Sequence, residues 1–262
     1  MASEISRIFT QIIESAPPGE LEEVYNYLVA IFPDKRDVIE KCVIRLAETH
    51  GIVLPGEGIA CNENKDASGK FWDYKQKKKY NASYSTAQMF DVEPSTPVAK
   101  YPTFYSELVK EVDSYSKSHF PSDAVFEVIP HSSTKVNVIL ISEKLNKSNF
   151  YTGRWKAAYT FEEAQKARGN IVIDVHYYEE GNVRFKFDEA VEKECDFSPA
   201  AIVRFIQRAE DEVQLRVVNQ FTVLNQNYFK NLRRLLPVTK SRINWGAAIG
   251  NYKLGTDVIS EQ

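Results

Sequence analysis

Ile171-Val172-Ile173-Asp174-Val175-His176-Tyr177-Tyr178 runs into Glu179-Glu180-Gly181-Asn182 and then into Val183-Arg184-Phe185-Lys186-Phe187. Ile171, Ile173, Val175 and Tyr177 alternate with Val172, Asp174, His176 and Tyr178, the two-residue period of a strand with unlike faces. Val183, Phe185 and Phe187 resume that period after a four-residue polar turn, which predicts a hairpin. Upstream, Val125, Phe126, Val128 and Ile129 form one apolar run, and Val136, Val138, Ile139, Leu140 and Ile141 a second, with His131-Ser132-Ser133-Thr134 turning between them. Trp155, Ala158, Tyr159 and Phe161 supply another. Five consecutive strands joined by short turns specify an antiparallel meander rather than a parallel sheet.

Downstream of the hairpin, Ser198-Pro199 opens a helix: Ser198 can cap it, and Pro199 occupies the first turn, where a missing N–H costs nothing. Neither glycine nor proline recurs until Pro237. Ile202, Ile206, Ala209, Val213, Val217 and Leu224 mark a continuous apolar seam. About 30 helical residues would span roughly 45 Å at 1.5 Å each. Five strands about 4.8 Å apart are only about 24 Å wide. The helix therefore outruns its own sheet, and together with the open edges of a meander this argues for a second chain.

Upstream of the sheet, Ile5, Ile8, Phe9, Ile12 and Ile13 share a helix face that ends at Ala16-Pro17-Pro18-Gly19-Glu20. Leu21, Val24, Tyr25, Leu28 and Ile31 mark a second helix; Val38, Ile39, Cys42, Val43 and Leu46 mark a third that closes at His50-Gly51. Three short helices with tight breaks predict an antiparallel helical unit. Residues 55–100 are polar and poorly patterned, and the cluster Lys75, Lys77, Lys78 and Lys79 reads as a solvated loop. Pro94, Pro97 and Pro102 suggest a linker before a short amphipathic helix carrying Phe104, Leu108, Val112 and Tyr115, after which His119 is expected at the surface. The fold class is α+β. Its expected divisions are a helical stalk at 1–52, a polar middle with a connecting helix at 53–122, the sheet at 123–190, the long helix and its basic end at 197–236, and an amphipathic tail at 237–262.

The chain has 262 residues, 43% of them hydrophobic, enough for a sizeable core. No apolar run approaches the roughly 20 residues of a membrane span, and Met1-Ala2-Ser3-Glu4-Ile5 does not begin a signal peptide. Cys42, Cys61 and Cys195 are too few and scattered for a disulfide framework or a metal cage, which suggests a reducing cytosolic setting and no cofactor. Charge is polarised: residues 213–256 carry Arg216, Lys230, Arg233, Arg234, Lys240, Arg242 and Lys253 without an acid, so +7 there leaves −10 elsewhere to give the formal −3. Such a field draws an acidic partner. Trp245, Ile249 and Tyr252 fall at i, i+4 and i+7 in the tail, one stripe of a helix that docks in a groove. Gly246 and Gly250 weaken that helix by about 1 kcal/mol each. His176 with Tyr177, Tyr178 and Glu179 invites an acid–base reading, yet His176 and Asp174 lie on the strand face opposite Ile173 and Val175, so alternation alone accounts for them, and no phosphate loop, nucleophile elbow or HExxH motif accompanies them.

Val175-His176-Tyr177-Tyr178-Glu179-Glu180-Gly181-Asn182-Val183 closely resembles a signature of the F-actin-capping protein alpha subunits. Phe229-Lys230-Asn231-Leu232-Arg233-Arg234-Leu235-Leu236-Pro237-Val238-Thr239-Lys240 is similar to their second signature. Ala16-Pro17-Pro18-Gly19-Glu20, Gly153-Arg154-Trp155 and Ile243-Asn244-Trp245 follow in the family's order, so the resemblance covers nearly the whole chain. It implies a non-enzymatic, calcium-independent protein that pairs with a beta subunit as an obligate heterodimer. The pair would share one ten-strand layer under two antiparallel helices and bind barbed ends of actin filaments in the cytoplasm and cortical cytoskeleton. Lys230, Arg233, Arg234, Lys240 and Arg242, with Trp245, Ile249 and Tyr252 of the tail, are the actin-binding residues it implies. Lys240 stands where an arginine is usual and lacks the fork that grips a carboxylate twice. Phosphoinositides and capping regulators are further partners the resemblance brings. The alternatives are an actin-related filament such as that of dynactin, and, less compatible with the resemblance, a nucleic acid held by the basic stretch.

Overall fold

The computed structural model describes residues 2–84, 86–95, 102–120, 124–132, 134–178, 182–224 and 226–227. Three helices open it: α1 (Ala2–Glu14), α2 (Leu21–Ile31) and α3 (Arg36–His50). Their shared core is Phe9, Ile13, Tyr25, Leu28, Ile39 and Val43. The faces that carry these residues are the ones the three-to-four spacing selects. Gly51 ends α3 with φ of 75°, its N–H donating to Ala47 O at 2.8 Å. A Cβ there would lie 2.6 Å from Ile141 Cδ1, the tip of a flexible side chain, so it is chiefly the backbone conformation that favours glycine.

The middle region departs from its expected character. Residues 52–94 contain five short strands: β1 (Ile52–Leu54) pairs with β2 (Gly58–Ala60), and β3 (Phe71–Asp73), β4 (Lys78–Ser83) and β5 (Gln88–Pro94) form a three-stranded antiparallel sheet. Their shortness, a register shift between Lys79 and Asn81, and left-handed residues at Lys77, Ala87 and Asp91 hide the period from a sequence reading. The lysine cluster is correspondingly solvated only at Lys77, which is exposed in a turn. Lys75 pairs with Glu57 at 2.6 Å, Lys78 lies 3.6 Å from Asp73, and Lys79 pairs with Asp66 at 2.7 Å; the three side chains are only 19–22% exposed. Lys79 also sits 3.7 Å over the Trp72 ring, and Lys75 lies 4.6 Å from that of Phe126.

A third, larger sheet follows α4 (Pro102–His119). Its strands are β6 (Ala124–Ser132), β7 (Lys135–Asn146), β8 (Tyr151–Glu162), β9 (Lys166–Tyr177) and β10 (Val183–Glu194), antiparallel in the order β10-β9-β8-β7-β6. This is the expected meander. On its front lie α4 and α5 (Pro199–Leu224), burying Leu108, Val112, Val138, Leu140, Ala157, Ile171, Ile173, Ile202, Ile206 and Val213. Behind it, Ile59 of β2 and Cys61, just after that strand, pack on Val125, Ile129, Ile139 and Ile141. At the start of α5, Ser198 O accepts from Ile202 N at 2.9 Å, the place of a capping residue.

Within the described residues α5 has 26 residues, about 39 Å at 1.5 Å each, shorter than the expected 45 Å but still longer than five strands are wide. Its last buried residue is Val217; Leu215, Val218 and Val223 are 62%, 50% and 50% exposed. His119 also differs from expectation. Its side chain is 18% exposed and lies 3.6 Å from Glu210 of α5, stacked on Tyr115. It ends α4 one turn after Tyr115, on the face that meets α5. Among the described residues no helix is long and apolar enough to cross a membrane.

Candidate interaction surfaces

β10 is the edge of the large sheet and pairs only with β9 among the described residues. Alternation gives this strand two jobs. On the front, Phe185 and Phe187 stack at 6.4 Å, and Phe185 lies 4.4 Å from Phe221 of α5. All three rings are half-buried. They make an aromatic shelf that joins an open strand edge to the end of a helix carrying exposed Leu215, Val218 and Val223. Arg216 fastens the two elements, pairing with Glu189 of β10 and with Glu212 one turn earlier in α5. An unpaired edge beside a helix with uncovered apolar residues is the geometry of an incomplete interface.

On the back, β10 grips the N-terminal helical unit. Arg184 donates to Asp174 Oδ1 and Oδ2 at 2.8 and 2.6 Å, to Ala16 O at 2.7 Å, and to Ser15 O. Lys186 Nζ donates to Glu14 O at 3.1 Å. These are carbonyls at and just past the C-terminus of α1, which have no partner within the helix and carry its negative partial charge. Asp174 is nearly buried, and its side-by-side partner His176 bonds through Nε2 to Asn182 Oδ1 at 2.8 Å. Asp174 thus belongs to the seam between sheet and helical unit, and His176 shares its strand face by the alternation of β9.

A cavity of about 290 Å3 lies along that seam, lined by Ala16 to Gly19, His50, Glu63, Arg154, Lys156 and Asp174. Lys156 is almost fully buried, yet donates to Thr49 O at 2.7 Å and to both Glu63 oxygens at 2.8 and 3.0 Å. Burial, reinforced by the Arg154 cation, lowers the His50 pKa to about 4, so this ring is neutral at physiological pH.

The residues expected to meet actin, Lys230, Arg233, Arg234, Lys240, Arg242, Trp245, Ile249 and Tyr252, lie outside the described residues, as does the turn Glu179 to Gly181 of the hairpin signature. What the sequence reading did not single out is the shelf and the clamp. Phe185 and Phe187 are legible as strand residues, but Phe221 is not named in the seam from Ile202 to Leu224, although it falls four residues after Val217 and three before Leu224. Arg184 was legible only as a polar residue on an alternating strand, because its carbonyl partners are more than 160 residues away.

The family model described as F-actin capping protein alpha subunit matches residues 9–257. A chain of Debaryomyces hansenii called F-actin-capping protein subunit alpha is 40% identical over 259 residues, 97% of each chain. One from Candida albicans with the same name is 35% identical over 281 residues and covers both chains fully. In fold the chain is similar to the homodimeric actin capping protein alpha subunit from Plasmodium berghei, with a TM-score of 0.75 at 19% identity, over 92% of this chain and all of that one. These relatives are structural proteins of the actin cytoskeleton and not enzymes. The solved relative shares the fold, and from the family model and the sequence relatives the chain belongs to the F-actin capping protein alpha subunit family.

Proposed function

We propose that this chain is the alpha subunit of a heterodimeric, calcium-independent capping protein that binds the barbed ends of actin filaments and blocks subunit exchange there. The observation that carries the reading is the open β10 edge with its aromatic shelf, continued by the uncovered end of α5. A beta subunit that adds strands at that edge and lays its own helix beside α5 would cover both. Its place of action is the cytoplasm and the cortical actin structures.

For the filament itself, the reading assigns the acid-free cationic stretch after Val213, with Lys230, Arg233, Arg234, Lys240 and Arg242 steering towards actin and Trp245, Ile249 and Tyr252 anchoring. The test is seeded pyrene-actin elongation with the co-expressed complex, with and without calcium chelation. Capping in both conditions supports the reading; unimpeded elongation overturns it. Replacing Lys230, Arg234 and Lys240 together with alanine should slow association and flatten its salt dependence while leaving the complex folded. Since the Plasmodium relative is described as homodimeric, the mass of the complex is measured as well. A 1:1 complex with the beta subunit is the expected result, and a stable pair of identical chains would replace the heterodimer.

A further inference from the structure

We propose that Glu210 is held as a neutral carboxylic acid and works with His119 as a proton-operated catch that seats α5 on α4 and β8. Glu210 lies midway along α5 and is fully buried. Around it stand Tyr115 and His119 from α4 and Tyr159 and Trp155 from β8. Tyr115 donates to Oε2 at 2.9 Å and Tyr159 to Oε1 at 3.2 Å. The Trp155 indole N–H sits beside the carboxyl just outside hydrogen-bonding geometry, which leaves that buried donor unsatisfied. No lysine or arginine among the described residues pairs with Glu210, and its neighbour in the chain, Asp211, carries the same sign of charge.

A carboxylate without a cation in such a place must lose its charge or be hydrated. Burial accordingly raises the Glu210 pKa to about 8, against the two tyrosine hydrogen bonds, which lower it. His119 Nε2, 3.6 Å from Oε2, is the one imidazole nitrogen in reach. Of the four surrounding side chains only His119 has appreciable contact with solvent, so it is the way out for the proton. Burial lowers the pKa of this histidine, which keeps its ring able to accept. Loss of the proton puts a charge beneath the middle of α5, and relief comes from water entering between α5 and β8. Gly169 supports the arrangement, because a side chain there would strike the Tyr159 ring and displace its hydroxyl.

The sign follows from the raised value. The folded state binds the proton more tightly than the unfolded one, so the contribution is complete below the ordinary glutamate range and is lost as pH rises towards about 8. Any effect on partner binding rests on the heterodimer reading above, but the catch is a property of this chain's own core. The test is thermal unfolding of the full chain, in whichever assembly it purifies, from about pH 5 to about pH 9, compared with Glu210→Gln. Near pH 5 the two should melt nearly together, and the wild type should fall behind by several degrees as pH approaches 8. Reading the gap between them removes the contribution of Glu127, which is also buried and titrates high in both proteins. Parallel melting curves across the range overturn the proposal. Tyr115→Phe gives a second reading should the glutamine protein not fold: without one donor to the carboxylate, the wild-type fall should move to higher pH, and an unmoved fall counts against the catch.

Discussion

Arg184 shows how much one side chain can hold. Its guanidinium ties β10 to Asp174 of β9 and to the end of α1, with the planar fork used on both sides. Arg184→Ala should leave the nearly buried Asp174 without its main counter-ion and cost about 3 kcal/mol, read from urea unfolding midpoints. Arg184→Lys should recover only a minority of that, because a point charge cannot serve carboxylate and carbonyls together. His50 gives the acid limb of stability. Its pKa falls to about 4 on folding, so the unfolded chain binds the proton more readily between there and the ordinary histidine value. Stability is therefore complete above that ordinary value and declines as pH falls towards about 4. With allowance for partial exposure, His50→Gln should remove about 1 kcal/mol of the loss seen between neutral pH and about pH 5, measured by denaturant titration at the two values.

Elements were legible in proportion to their length and regularity. The twelve-residue strands β9 and β10 and the 26 residues of α5 repeat their period often enough to be read directly. β3 has three residues, and the lysines of β4 look like a solvated run until Trp72, Asp73 and Asp66 are brought under them by the fold. His119 looks like a surface residue in the sequence for a related reason: nothing local reveals that α5 will place Glu210 against it. The overhang of α5, by contrast, followed from arithmetic on helix rise and strand spacing alone. The site residues expected beyond Leu224 are legible through the resemblance, with composition and spacing beside it, and lie outside the described residues. α5 also separates folding from assembly. Leu215→Asp with Val218→Asp should change the chain's own stability by no more than about 0.5 kcal/mol, since both residues are exposed. The same pair should sharply lower the yield of beta subunit in co-purification; undiminished recovery would take this stretch of α5 out of the interface.

At the scale of the molecule, the front of the sheet is finished by α4 and half of α5, whereas the β10 edge is not finished by anything among the described residues. Expressed alone, the chain should aggregate, and co-expression with a beta subunit should restore a soluble complex, both seen by size-exclusion chromatography with light scattering. A monodisperse monomer at working concentration would contradict that expectation. Among the described residues β10 is also the strand that joins the front shelf to the helical unit behind. It meets β9 through an unbroken register of twelve residue pairs, from Val183 opposite Tyr177 to Glu194 opposite Lys166. Ladder hydrogen bonds run across the strands, so a pull along β10 is shared by the whole row, whereas a pull away from the sheet opens them one after another. The joint is thus strong in shear and weak in peeling, and a complex hung from this edge would bear tension according to the angle at which the load arrives.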